Sequence, residues 1–83
     1  MEIPSNISWK TINDKVVAVN VTTGDYYTLN ATASAIWNAI ADNKTREEII
    51  ALIKEDFEDV PTDELEADID AQIQEWKEIA LIN

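Results

Sequence analysis

The run Val16-Val17-Ala18-Val19-Asn20-Val21-Thr22-Thr23-Gly24-Asp25-Tyr26-Tyr27-Thr28-Leu29-Asn30-Ala31-Thr32-Ala33-Ser34-Ala35-Ile36-Trp37 decides the fold, because its hydrophobic pattern changes period twice. Val16 to Val21 is β-branched and suits a strand. Thr22-Thr23-Gly24-Asp25 then reverses the chain, with Gly24 as the residue free to take a positive φ, and Tyr26-Tyr27-Thr28-Leu29 resumes an extended pattern. Asn30 is a good helix N-cap, and Ala33, Ile36, Trp37 and Ile40 recur at i, i+3, i+4 and i+7. The spacing predicts a helix over Ala31 to Ala41.

On the N-terminal side, Ile7-Ser8-Trp9-Lys10-Thr11-Ile12 reads as another strand. Asn13-Asp14 separates it from Lys15, and both residues tolerate the left-handed region that a two-residue hairpin turn demands. The expectation is a three-stranded antiparallel meander with the valine strand in the middle and Trp9 covering the open side of the sheet. Register stays open at this level. Either Val17 and Val19 or Val16 and Ala18 share a face with Tyr27 and Leu29, depending on the loop around Gly24.

On the C-terminal side, Asn43 can supply the left-handed residue that ends the first helix. Thr45-Arg46-Glu47-Glu48 is a capping box, followed by Ile49, Ile50, Ile53 and Phe57 as a buried face. A third helix opens at Thr62 after Pro61 and places Leu65, Ile69, Gln72, Ile73, Trp76, Ile79 and Ala80 in one arc. Glu66, Asp70 and Lys77 border that arc on one side, Asp68 and Glu75 on the other. The fold class is α+β, a winged helix-turn-helix-like domain of three strands followed by three helices, in one domain over residues 1–83.

Composition removes most chemistry. The 83 residues contain neither cysteine nor histidine, which excludes disulfides, thiolate nucleophiles, Cys/His zinc sites and an imidazole general base. Asp68 and Asp70 stand two apart on a helix, rotated by about 200°, and do not form an acid and base pair. No enzyme activity and no cofactor are expected. No apolar run nears the roughly 20 residues that cross a bilayer. Met1-Glu2-Ile3-Pro4 lacks the basic and apolar regions of a signal peptide, so the expectation is a cytoplasmic protein without membrane contact.

Charge excludes nucleic acid. Of a net charge of −11, all but one unit lies between Glu55 and Glu78, where eleven acidic side chains face Lys77 alone. In a winged helix-turn-helix domain the third helix would enter a groove, but this one would meet phosphates with repulsion.

The residues resemble the signature of PqqD-like proteins. The spacing of Gly24, Tyr26-Tyr27, Leu29-Asn30 and Ile36-Trp37 carries the likeness. Thr45-Arg46-Glu47-Glu48-Ile49 and the terminal Asp68-Ile69, Ile73, Trp76 and Leu81-Ile82 extend it from about Ile7 to Ile82. Asn43 and Ala80 stand where that family usually has Gly, and Trp76 where Leu is common. Asn43 still suits the left-handed conformation, whereas Ala80 predicts a last helix that runs on without a sharp stop.

The resemblance implies a recognition element for ribosomally synthesised, post-translationally modified peptides. Such a domain has no catalysis of its own. It holds the leader of a precursor peptide and presents the core to a modifying enzyme, often a radical SAM enzyme. The leader adds a strand to the third strand, in the groove beside the third helix. The implied peptide-binding residues are Asp25, Tyr26, Tyr27, Thr28 and Leu29, with Glu66, Asp70, Ile73 and Lys77 on the helix.

Physical chemistry makes this reading workable, because the Tyr26-Tyr27-Thr28 strand is an edge whose outward backbone groups an extended peptide can satisfy. The acidic third helix favours a leader bearing Lys or Arg, with binding that weakens in salt. The alternative is a structural module in which the open edge pairs with a second copy to give a homodimer. An acyl carrier protein is disfavoured, because Ser5, Ser8 and Ser34 all lack the Asp-Ser-Leu context of a phosphopantetheine site.

Overall fold

The computed structural model describes all residues from Met1 to Asn83. It has strands β1 (Ile7–Ile12), β2 (Lys15–Asn20) and β3 (Tyr26–Thr28), then helices α1 (Ala31–Ala41), α2 (Arg46–Asp56) and α3 (Thr62–Glu78). The sheet is an antiparallel meander in the order β1-β2-β3, with β2 central as expected. The fold is α+β.

Both turns form where the sequence places them. Asn13 and Asp14 take φ of 52° and 64°, and Gly24 takes 84°. A Cβ on Gly24 would meet nothing within 4 Å, so the backbone angle alone selects glycine there. Asn20 organises the second turn: its Oδ1 accepts the amides of Thr22 and Thr23 at 3.0 and 3.2 Å, and its carbonyl accepts the Gly24 amide at 2.7 Å.

This turn fixes the register. Ala18 pairs with Tyr27 and with Trp9, and the Leu29 amide donates to the Val16 carbonyl at 2.8 Å. Val16 and Ala18 are therefore the residues that share the helix-facing side with Tyr27 and Leu29, and both are fully buried. Trp9, opposite Ala18, lies on this same side. Contrary to expectation it does not cover the outer face, but meets Trp37 edge to face at 6.2 Å. Trp37 in turn contacts Trp76 of α3 at 5.4 Å, also near-perpendicular, so three indoles tie sheet, α1 and α3 together.

Helix ends follow local chemistry. Asn30 Oδ1 accepts the Ala33 amide at 2.9 Å and caps α1. The end of α1 is a Schellman motif: Asn43 at φ 62° donates to Ile40, and Lys44 to Ala39, both at 3.0 Å. The capping box of α2 is complete, with Thr45 Oγ1 accepting the Glu48 amide at 3.2 Å and Glu48 Oε1 accepting the Thr45 amide at 3.0 Å. These bonds favour the ionised Glu48 and lower its pKa. Proline61 stands at the N-cap of α3 and provides no side-chain bond.

Two expectations about helix ends are corrected. α3 does stop sharply, because Ala80 itself adopts φ 62°, donating to Lys77 while Leu81 donates to Trp76 at 2.9 Å in a second Schellman motif. A left-handed alanine costs about 1–2 kcal/mol. The turn it makes returns Leu81 and Ile82 to the core, each almost fully buried and worth about 1.5–3 kcal/mol, so burial wins. Ile79 and Ala80 consequently lie exposed, off the buried stripe. Phe57 is likewise outside the core: α2 ends one residue before it, and as C-cap it is 38% exposed.

The buried apolar side chains form one cluster drawn from the sheet, all three helices and the C-terminal Leu81-Ile82. Ser34 is the single buried polar side chain. Its hydroxyl accepts the Val16 amide at 2.8 Å and donates to the Leu29 carbonyl at 3.2 Å, so α1 is stitched to the sheet where β3 ends.

Candidate functional site

β3 has a neighbour on one side only. Asp25 accepts from the Asn20 amide and Leu29 donates to Val16, which sets the odd-numbered residues 25, 27 and 29 as those bonded to β2. Tyr26 and Thr28 therefore aim their amides and carbonyls at solvent. Four unpaired backbone groups line this edge.

Side chains alternate the other way. Tyr27 points inward and is half-buried, while Tyr26, 71% exposed, stands on the outer face with Thr28. Asp25 belongs to the turn, since its carboxylate accepts the Thr23 hydroxyl at 3.0 Å and its amide donates to that oxygen at 3.2 Å. Leu29 is buried and forms part of the floor.

Between β3 and α3 runs an open groove of about 410 Å³. Tyr26, Tyr27, Thr28 and Leu29 form its sheet wall, and Gln72, Glu75, Trp76 and Ile79 its helix wall. Gln72 Nε2 reaches Glu75 Oε2 at 3.4 Å, a weak bond along the rim. The groove thus has an apolar floor, one wall of free peptide groups and one acidic lip.

The helix residues expected here lie elsewhere. Arg46, in the first turn of α2, grips Asp70 through Nε to Oδ1 at 2.7 Å and Nη2 to Oδ2 at 2.8 Å. That two-pronged bond holds the Asp70 carboxyl below its usual range and raises the guanidinium pKa further. It also shows that, of Glu66, Asp70, Ile73 and Lys77, the first two lie on the side of α3 near Arg46 of α2. Ile73 is buried in the core, and none of the four lines the groove. The structure brings Tyr26 to Leu29 to the groove and substitutes the opposite flank of α3.

The sequence located both flanks, and the resemblance pointed to that of Glu66, Asp70, Ile73 and Lys77, whereas the groove is lined by Gln72, Glu75, Trp76 and Ile79. Gln72 was the available signal, a polar residue inside an apolar arc, which suits a position at the border of core and groove. No group of three or more potential metal ligands occurs in the molecule. No helix is long and apolar enough to cross a membrane.

In sequence alone, no curated protein matches the chain. Among solved structures, TbiB1 in complex with the TbiA(beta) leader peptide is 28% identical and superimposes with a TM-score of 0.93, covering 100% of this chain and 95% of that one. Lasso peptide synthetase B1 complexed with the leader peptide shares the fold, with a TM-score of 0.89 at 23% identity over 99% of this chain and 95% of that one. The family model described as coenzyme PQQ synthesis protein D matches residues 15–82, from the start of β2 to the buried C-terminal pair. With the Gly24 turn, the Tyr-Tyr strand and the α1 cap all in that span, the chain belongs to the PqqD family.

Proposed function

We propose that this protein is a non-catalytic peptide-binding domain that captures the leader of a ribosomally made precursor by β-augmentation and presents the attached core to a modifying enzyme, with radical SAM proteins as one class of partner. The observation that carries this reading is the open β3 edge beside a groove with an apolar floor, in a fold that superimposes on a leader-bound chain. The guest pairs with the outward groups of Tyr26 and Thr28 and lowers its apolar side chains between Tyr27, Leu29, Trp76 and Ile79. Asp25 flanks the site through its turn.

Magnitudes fit a reversible complex. Four backbone hydrogen bonds at about 1 kcal/mol net and one or two buried side chains at about 1.5–3 kcal/mol each act against the ordering of the guest. A micromolar dissociation constant, about −8 kcal/mol, is expected. The modification chemistry belongs to the partner enzyme.

The test is an amide-shift titration of the labelled protein with the leader half of the precursor encoded beside its gene. Shifts at Tyr26 to Leu29 and at Gln72 to Ile79 are expected. Shifts confined to β1 would reject this site, and a molecular mass that doubles with concentration while β3 signals broaden would instead favour self-pairing of the edge.

A further inference from the structure

The sheet has a second open edge. The Val21 amide donates to the Asn6 carbonyl at 2.9 Å, and the pairing of β1 with β2 continues in step from there. Even-numbered residues of β1 therefore bond to β2, and Trp9 and Thr11 aim their amides and carbonyls at solvent. No hydrogen bond of the chain reaches these groups. β1 is six residues long against three for β3, so this edge is the longer of the two. Beside it runs a groove of about 470 Å³ with Ile3, Ile7, Trp9 and Ile40 as its apolar lining. Trp9 packs on Trp37 yet is left 37% exposed there.

The two edges differ in charge. β1, β2 and β3 contain no acidic residue, and the outer face of the sheet carries Lys10 and Lys15. Neither lysine is in an ion pair. Glu2, at the N-terminal end of the groove, is the one acid that lines it. A segment that pairs with β1 thus meets apolar side chains on one face and unpaired cations on the other. Its complement is a strand of period two, with apolar residues inward and Asp or Glu outward. All but one unit of the net charge of −11 lies between Glu55 and Glu78, so an acidic partner approaches most easily from the sheet.

This chemistry selects the occupant. A leader chosen for Lys or Arg by the acidic lip of the β3 groove would set like charges beside Lys10. A second copy of the chain has no acid in any strand and brings no carboxylate to either lysine. Resting on the proposed function, we infer that the β1 edge is the docking site for the modifying enzyme, which adds an extended segment of alternating apolar and acidic residues. Enzyme and leader then sit at opposite ends of one sheet, four strand spacings or about 19 Å apart. Both are bound together, and the sheet fixes the distance between them.

The test titrates the full chain with the purified modifying enzyme encoded beside its gene, in the absence of leader. Thr11→Pro deletes one outward amide on an edge, and Lys10→Glu reverses a cation. Each should weaken enzyme binding about tenfold and leave leader affinity unchanged. Binding by the parent should weaken with added salt. Thr28→Pro should do the reverse, weakening leader binding and sparing the enzyme. Circular dichroism checks the folding of each variant, and Lys10→Glu, at an exposed position, carries the test if Thr11→Pro unfolds. If the enzyme does not bind the parent, or binds both β1 variants as tightly as the parent, the β1 site is overturned, while leader binding to the same samples leaves the proposed function standing. A parent that dimerises in sedimentation and returns to monomer with Thr11→Pro gives the edge to a second copy and likewise overturns the site. Failure of the parent to bind leader overturns the proposed function, and is read independently of the enzyme titration.

Discussion

The two flanks of α3 carry similar sequences and have opposite fates. Glu66 and Asp70 lie beside the start of α2, where Arg46 takes the Asp70 carboxylate in a two-pronged grip. Asp68, Gln72, Glu75 and Ile79 face open grooves, and no cation of the chain pairs with Asp68 or Glu75. Acidic composition alone does not distinguish them. The difference is whether the fold supplies a counter-ion, and the flank without one is the flank beside the unpaired strand.

The largest expected effect comes from the residue on the seam between the flanks. Trp76→Ala removes a buried indole that packs on Trp37 and floors the groove, and should cost about 3–5 kcal/mol in urea unfolding. Against a typical total of about 5–15 kcal/mol that is severe. A loss under about 1 kcal/mol would mean that the groove floor is not part of the core.

Next is the strand itself. Thr28→Pro deletes one outward amide on an edge, where proline is tolerated, so leader binding should weaken about tenfold or more while the melting temperature stays near that of the parent. Tyr27→Pro removes an amide bonded to β2 and should instead damage folding. Equal effects of the two on stability would contradict the assigned alternation.

A direct contrast of the flanks follows. Glu75→Gln should reduce affinity for a Lys- or Arg-bearing leader about two- to threefold and flatten its salt dependence, whereas Asp70→Asn should leave binding unchanged. Similar binding losses for both variants would erase the distinction drawn here.

Asp70→Asn should show itself in pH dependence. The folded pKa of Asp70 is depressed, so its contribution to stability is fully present above the unfolded value of about 3.9 and is lost as pH falls through the lower folded value. Unfolding curves of the parent and Asp70→Asn should therefore differ at pH 6 and converge as the pH falls through the depressed folded value of Asp70. The smallest change is Thr45→Ala, which opens the capping box beneath Arg46 at a cost of about 1 kcal/mol without altering the groove.

The local devices were legible in the sequence. Asn13-Asp14, Gly24, Asn30, Asn43 and Thr45 each act within four residues, through positive φ or a side-chain cap, and the structure contains all of them. What depended on distant packing was not. The sheet register was the exception among local devices, since the Asn20-centred turn that sets it is secured by the Ser34 hydroxyl reaching Val16, 18 residues away. Ala80 takes the left-handed conformation only because Leu81 and Ile82 find room in the core. Phe57 obeys the α2 period, but the helix ends before reaching it. For the site, the strand half was readable because edge position follows from chain order, while the helix half required knowing which way α3 rolls onto α2.

One further consequence arises from the Ser34 hydroxyl between Val16 and Leu29. By closing the ladder there it makes the exposed rim a ruler, three residues or about 10 Å long. A guest cannot lengthen its hold by sliding further along the sheet. Tighter grip must come from what protrudes from the guest rather than from how much of it lies flat, so evolution can retune partner choice by reshaping the banks and leave the ruler untouched.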